Sequence, residues 1–413
     1  MKKSLFAIAA VTAFAGAAQA QSSVTVYGII DAGYIGSNTR EGAVKTQRSA
    51  FGQSAETTSR LGFRGNEDLG GGMSAFFTVE FGLTPQNSNL SGGTAADTIQ
   101  ATNQNGGSAI DNRQSFVGLK KNGIGQFAFG RQYTTVFTAG ATTSPGQYNN
   151  VVGDMVYAGG AHGTYAAASS SSGSTTGIGY TNRASNAVTL QTDRFGGLVL
   201  SAFAAMNNQD VTQSTGAAGQ GNTNWGGMGV GADFRWKKLI ATAAYQSFTT
   251  DYATGQAGVT AGSAITLGGQ GPTTRAFTGT STAAVAVTDT TDKQTLVGAV
   301  YDFGILKAYA QWVGRKVNVV AGEQINRNAQ QLGVRANITP KIETWASIGN
   351  GRIKSSVGAA TANFTGYQLG ANYILSKRTN MYGIFGSTVT SNTSASVGGY
   401  GANQYAVGVR HTF

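Results

Sequence analysis

Apolar and polar residues alternate with a period of two along most of this chain. Met73, Ala75, Phe77, Val79, Phe81 and Leu83 fall on one face of an extended segment, and Ser74, Phe76, Thr78, Glu80 and Gly82 on the other. Met228, Val230, Ala232, Phe234 and Trp236 oppose Gly229, Gly231, Asp233 and Arg235 in the same way. Leu332, Val334, Ala336 and Ile338 oppose Gln331, Gly333, Arg335 and Asn337, and Tyr367 to Leu375 alternates likewise. This pattern predicts strands with one apolar face. Beyond the first twenty residues, no segment reaches the ~20 consecutive apolar residues that a membrane helix needs.

The connections between these strands alternate in length. Short ones fall at 66–72, 121–125, 193–197, 237–238, 303–304, 339–341 and 376–379. Longer polar ones fall at 36–56, 84–112, 134–176, 207–224, 249–291, 314–327, 350–363 and 390–403. The expected fold is all-β: a transmembrane antiparallel barrel of about sixteen strands, with short periplasmic turns and long external loops. Even parity brings both termini to one side, so the last strand can pair with the first. Trp236, Tyr301, Phe303, Tyr373 and Tyr382 lie near the short turns, where an interfacial girdle is expected. A soluble β-sandwich or β-helix would not explain the alternation of loop lengths, and no repeat of fixed period is present.

Composition narrows the chemistry. The chain has 413 residues with no Cys, which excludes disulfide scaffolds, thiolate zinc sites and thiol catalysis. Its two histidines, His162 and His411, are far apart and lack companion ligands, so no metal and no cofactor are expected. Lys2 and Lys3, the apolar run 5–14 and the Ala18-Gln19-Ala20 step form a secretory signal over 1–20. An amphipathic anchor is the alternative, but the run lacks a polar face. A single barrel domain is expected over 21–413. Losing Lys2 and Lys3 lowers the net charge from +11 to +9. No nucleic-acid-binding stripe accompanies that charge.

Several stretches carry a resemblance: QSSVTVYGIIDAGY at 21–34, SRLGFRGNEDLGGGMSAFFTVEFGL at 59–83, NRQSFVGLK at 112–120, IGQFAFGRQY at 124–133, NRASNAVTLQ at 182–191, FGGLVLSAFA at 195–204, ANYILSKRTNMYGIFG at 371–386 and YAVGVRHTF at 405–413. Together they resemble the general porins of Gram-negative bacteria, of the β-proteobacterial type. The resemblance implies a homotrimer of sixteen-stranded barrels in the outer membrane. Each barrel would hold its own aqueous pore, narrowed by an inward-folded third loop, here about 134–176. It also makes the terminal aromatic, Phe413, the signal read by the barrel-assembly machinery.

A pore needs fixed charges at a water-filled constriction rather than a nucleophile. Over 59–65, Arg60, Gly62 and Arg64 share a face opposite Leu61 and Phe63. An arginine on the lipid face costs about 2–4 kcal/mol at mid-bilayer, so these two arginines are expected in the lumen. The resemblance assigns Arg60, Arg113 and Arg183 to the constriction through SRLG, NRQ and NRASN. Arg131 of FGRQY is a further candidate, and binding the base of the loop is its alternative. Asp154 is the one acidic residue of the inward loop. It either faces the arginines or is a solvated loop carboxylate, and the scarcity of acids tilts the expectation toward anions. Arg64, Glu80, Asp233, Arg235 and Arg335 are expected to line the pore, with an internal bridge from Arg64 to Glu67, Asp68 or Glu80 as the alternative there. The expected function is passive diffusion of small hydrophilic solutes and ions. A saturable channel for phosphate or organic acids is the alternative, and an outer-membrane barrel enzyme is a remote one.

Overall fold

Alternation along the chain becomes a closed wall in the computed structural model. It describes residues 23–41, 43–86, 90–91, 110–157, 163–165, 180–209, 223–251, 264–267, 277–280, 290–318, 324–355, 361–391 and 400–413. The expected signal at 1–20, His162, and most of 158–179 lie outside these residues.

The elements are β1 (Ser23–Glu41), β2 (Val44–Gln53), β3 (Arg60–Gly70), β4 (Met73–Gly82), β5 (Asn112–Lys121), β6 (Gly125–Tyr133), α1 (Thr135–Thr143), β7 (Gly163–Tyr165), β8 (Thr181–Thr192), β9 (Leu198–Gln209) and β10 (Thr223–Trp236). They continue with β11 (Leu239–Asp251), β12 (Ala264–Leu267), β13 (Phe277–Thr280), β14 (Thr290–Asp302), β15 (Lys307–Asn318), β16 (Gln324–Thr339), β17 (Ile342–Ser355), β18 (Thr361–Ile374), β19 (Thr379–Thr390) and β20 (Tyr400–Thr412). β12 and β13 form a separate hairpin, and β7 lies parallel to β8. β2 and β3 are two halves of one stave: Gln53 pairs with Ala32 of β1, and Arg60 with Ile29. The wall is therefore a 16-stranded antiparallel barrel. β20 closes it on β1, from Ile29 opposite Thr412 to Glu41 opposite Tyr400. Closure leaves no unpaired edge in contact with lipid.

The packing is inverted relative to a soluble sheet. Along β18, Tyr367, Leu369, Ala371 and Tyr373 are exposed while Phe364, Gln368 and Asn372 are buried. Leu332 and Ile348 are 63% and 66% exposed, whereas Gln246 and Gln294 are fully buried. Apolar side chains point outward because hydrocarbon is the outer solvent, and polar ones pair inside. Trp236, Tyr301, Phe303 and Tyr373 stand exposed near the short turns. Tyr382 does not join them. It is buried and donates to Asp31 Oδ1 at 2.6 Å, while its neighbour Met381 takes the outer face.

Two features of the first hairpin depart from the expected loop at 36–56. β1 and β2 stay paired up to Glu41 opposite Val44. The polar run Ser37-Asn38-Thr39 reads as a loop, but it pairs in a ladder with Arg48, Gln47 and Thr46. Between β2 and β3 the chain then turns inward over 54–59, with Ser54 at φ 61°. Asp31 holds this excursion: its Oδ2 accepts the Glu56 and Thr57 amides at 2.9 and 2.6 Å. Ser59 Oγ accepts the Asp31 amide at 3.0 Å.

Candidate functional site

The third long loop leaves β6 at Tyr133 and enters the barrel. Thr134 caps α1 by accepting the Phe137 amide at 3.3 Å. α1 has neither acidic residues in its first turn nor basic ones in its last, so side chains from the wall fix it in place. Six glutamines on the inner faces of six strands bind the loop and its exit. Val136 N donates to Gln246 (3.3 Å), Thr181 N to Gln294 (2.8 Å), Met155 N to Gln331 (2.7 Å) and Val152 N to Gln404 (2.9 Å). Gln311 Nε2 donates to the Gly140 carbonyl (2.8 Å) and Gln368 Nε2 to that of Val151 (3.0 Å). The loop lies so close to β19 that a Cβ at Gly386 would overlap the Val152 carbonyl oxygen.

The wall from β3 to β8 bears one cluster of charge. Glu80 Oε1 accepts from Arg113 Nε at 2.8 Å, and Arg60 Nη1 lies 3.8 Å from the same oxygen. Tyr27 donates to Glu80 Oε2 at 3.1 Å. Arg113 Nη2 donates to Tyr133 Oη at 2.9 Å, and the Arg183 guanidinium lies 5.2 Å from the Tyr133 ring centre. Arg60, Arg113 and Arg183 thus converge on Tyr133 and Glu80. Arg113 reaches the inner face through a β-bulge, since the register with β4 slips between Glu80 and Phe81. Such a bulge re-aims one side chain, which is why strict alternation is ambiguous at Arg113. Arg60 is the most exposed of the three, at 18% of its side chain. Arg113 and Arg183 are buried.

Arg131 lies within electrostatic reach of Arg183 and Arg113 and donates to the Asn112 carbonyl (2.8 Å) and Ser185 Oγ (2.7 Å). The remaining candidates lie elsewhere. Asp154 does not face the arginine cluster. It is buried in a turn, with Oδ1 accepting the Val156 and Tyr157 amides at 3.0 and 2.8 Å and Oδ2 accepting Ser144 Oγ at 3.2 Å. Burial pushes its carboxyl pKa above the ordinary value. Arg335 is also buried. It holds Glu343 through two bonds of 2.6 and 2.5 Å and the Pro145 carbonyl at 2.7 Å, so it braces the loop. Arg64 is exposed inside, 5.5 Å from the Tyr27 ring centre. Asp233 and Arg235 sit at the mouth near the short turns, where Arg194 donates to Asp233 at 2.6 Å and Arg235 at 3.1 Å. Phe413 exchanges backbone bonds of 3.1 Å with Gly28, and its ring covers that glycine. No cluster of three or more metal-ligating residues occurs among the described residues.

Sequence reasoning missed Tyr133, Tyr27 and the glutamines. Gln331 and Gln368 read as ordinary polar-face residues. Their shared signal is one glutamine on the inner face of each of six strands.

A closed barrel with an apolar exterior, a polar interior braced by an inserted loop and a basic patch on one wall is an outer-membrane barrel of a Gram-negative bacterium. The sequence profile described as Gram-negative porin matches residues 7–393, and the chain belongs to that family. An outer membrane porin protein of Bordetella pertussis is 38% identical over 143 residues, covering 32% of this chain and 34% of that protein. Outer membrane porin protein 32 of Delftia acidovorans is 49% identical over 92 residues, covering 22% of this chain and 25% of that protein. The matched segments therefore span about a third or less of these curated relatives. The solved anion-selective porin from Comamonas acidovorans superimposes with a TM-score of 0.64 at 23% identity, over 95% of this chain and 100% of that one.

Proposed function

We propose that this barrel is a water-filled channel for passive diffusion of small hydrophilic solutes and ions, with a preference for anions. The convergence of Arg60, Arg113 and Arg183 on Tyr133 and Glu80 supports this reading. Fixed guanidinium charge beside the water path lowers the energy of an anion and raises that of a cation. The Comamonas acidovorans protein, described as anion-selective, supports the same sign. Transport of this kind needs no nucleophile and no cofactor. The unit is proposed to be a homotrimer, with 1–20 as its secretory signal and Phe413 as the residue recognised during barrel assembly.

The test is the reversal potential across a KCl gradient in a planar bilayer, for wild type and for the R60Q/R113Q/R183Q variant. Loss of anion preference in a folded triple variant is expected. Unchanged selectivity would overturn the assignment.

A second reading, a saturable site for organic anions, is favoured by one observation. The Tyr133 and Phe137 rings stack 4.2 Å apart directly beside the guanidinia. Concentration-dependent block of the ion current by benzoate, and not by acetate, would support it.

A further inference from the structure

Beyond the arginine cluster, toward the short turns, the inner wall becomes aromatic. Arg64 follows Arg60 by four residues, about 13 Å along β3 in the direction of the 66–72 turn. It stands opposite Thr78 of β4, and Thr78 stands opposite Phe116 of β5. Phe76, two residues from Thr78, shares that face with Glu80. The Phe76 and Phe116 rings meet edge to face, 6.3 Å apart at 77°. Both are only half-buried, on an inner surface where other strands carry Gln246, Gln294 and Gln331. Gly118 makes room for one of them: a Cβ there would lie 2.6 Å from Phe76 Cζ, so its absence lets the ring settle against the wall.

Arg64 is exposed and, among the described residues, donates to no protein acceptor; its guanidinium rests 5.5 Å from the Tyr27 ring centre. The carboxylates of the same face are engaged elsewhere. Glu80 accepts from Arg113 at 2.8 Å and from Tyr27 at 3.1 Å, and Asp68 Oδ1 accepts the Gly70 amide at 2.9 Å. A guanidinium laid against a ring keeps its N–H edge for a planar carboxylate. The two phenylalanines add apolar surface that water covers at a cost. Diagonal neighbours on one face of a sheet lie about 7–8 Å apart, so a ring bearing one carboxylate bridges Arg64 and Phe76. An inorganic anion would use the guanidinium alone, and a neutral ring the phenylalanines alone.

We propose that Arg64, Tyr27, Phe76 and Phe116 form a binding site for aromatic carboxylates on the periplasmic side of the constriction, separate from the Tyr133–Phe137 stack. Arg64 holds the carboxylate and the phenylalanines hold the ring. The site rests on the reading of the barrel as an anion-conducting channel.

The test is block of the single-channel KCl current by benzoate, with acetate as the ring-free comparison. R64K and F76L/F116L keep every charge, so their reversal potentials should match the wild type. Benzoate should block the wild type at concentrations where acetate does not. Its half-blocking concentration should rise about two- to tenfold in R64K and about tenfold in F76L/F116L. F116L alone replaces the pair if the double variant does not fold. Unchanged block in these variants would overturn the proposal. Loss of block in F137L, with R64K and F76L/F116L unaffected, would overturn it in favour of the Tyr133–Phe137 stack. Equal block by cyclohexanecarboxylate would overturn the aromatic ring as the recognised group. The two readings fail separately: a cation-preferring wild type overturns the selectivity assignment, whereas Arg64-dependent benzoate block in that same channel still supports this site.

Discussion

Glu80 is the carboxylate that binds two of the clustered arginines, so replacing it with glutamine is a direct probe of the pore's electrostatics. The substitution keeps an acceptor for Arg113, 2.8 Å away, turns an amide donor toward the Tyr27 hydroxyl, 3.1 Å away, and removes one negative charge. An ion passing at about 7 Å in water feels about 0.6 kcal/mol from a unit charge, falling to roughly 0.25 kcal/mol at physiological ionic strength. Anion and cation respond with opposite sign, so their permeability ratio shifts by twice that energy. E80Q is therefore expected to raise the anion-to-cation ratio about two- to eightfold. It should cost about 1–3 kcal/mol of stability, while E80A, which strands a buried guanidinium, should cost about 3–5 kcal/mol. Reversal potentials in asymmetric KCl read the first quantity, and thermal unfolding in detergent reads the second. A folded E80Q barrel with unchanged selectivity, or with a shift toward cations, would refute the idea that this cluster sets the sign.

Two further expectations concern the inserted loop. Q368A removes donors to Asn149 (2.9 Å) and Val151 (3.0 Å) and the acceptor for the Trp345 indole (3.3 Å). It should speed amide exchange at Val151 and Val152 and add flicker to the open-channel current, for a loss of about 1–3 kcal/mol. The pH dependence of the loop follows from Asp154. Its folded pKa lies above the unfolded value of about 3.9, so the folded loop binds the extra proton. Loop stability should therefore fall as pH rises through the interval between those two values, and D154N should flatten that trend in hydrogen exchange measured from about pH 4 to pH 7.

The barrel was legible because lipid and lumen impose opposite demands on alternate residues. Leu369 and Gln368 declare their sides by chemistry alone. Arg60 and Arg64 were likewise placed inside by the cost of exposing a guanidinium to lipid. Arg113 needed the bulge at Glu80, which depends on the partner strand and leaves no trace in local periodicity. Asp154 and Arg335 illustrate the other limit. A charge on the inner face can meet water or an inserted loop, and only the path of that loop decides. Tyr382 went the same way: its buried partner, Asp31, is 351 residues distant in the chain. The glutamines lay hidden because each is unremarkable within its own strand, and only alignment of six strands brings them together.

That arrangement has a consequence for the order in which the molecule matures. The loop is synthesised in the first half of the chain, yet its contacts with Gln331, Gln368 and Gln404 span 176, 217 and 252 residues. Such distant contacts form late, after the entropy of closing long segments has been overcome. The channel therefore acquires its calibre only when the last strands arrive, and a half-built barrel has no preset bore. Sealing the wall and sizing the passage become a single event, which keeps an unfinished molecule from presenting a defined hole in the membrane.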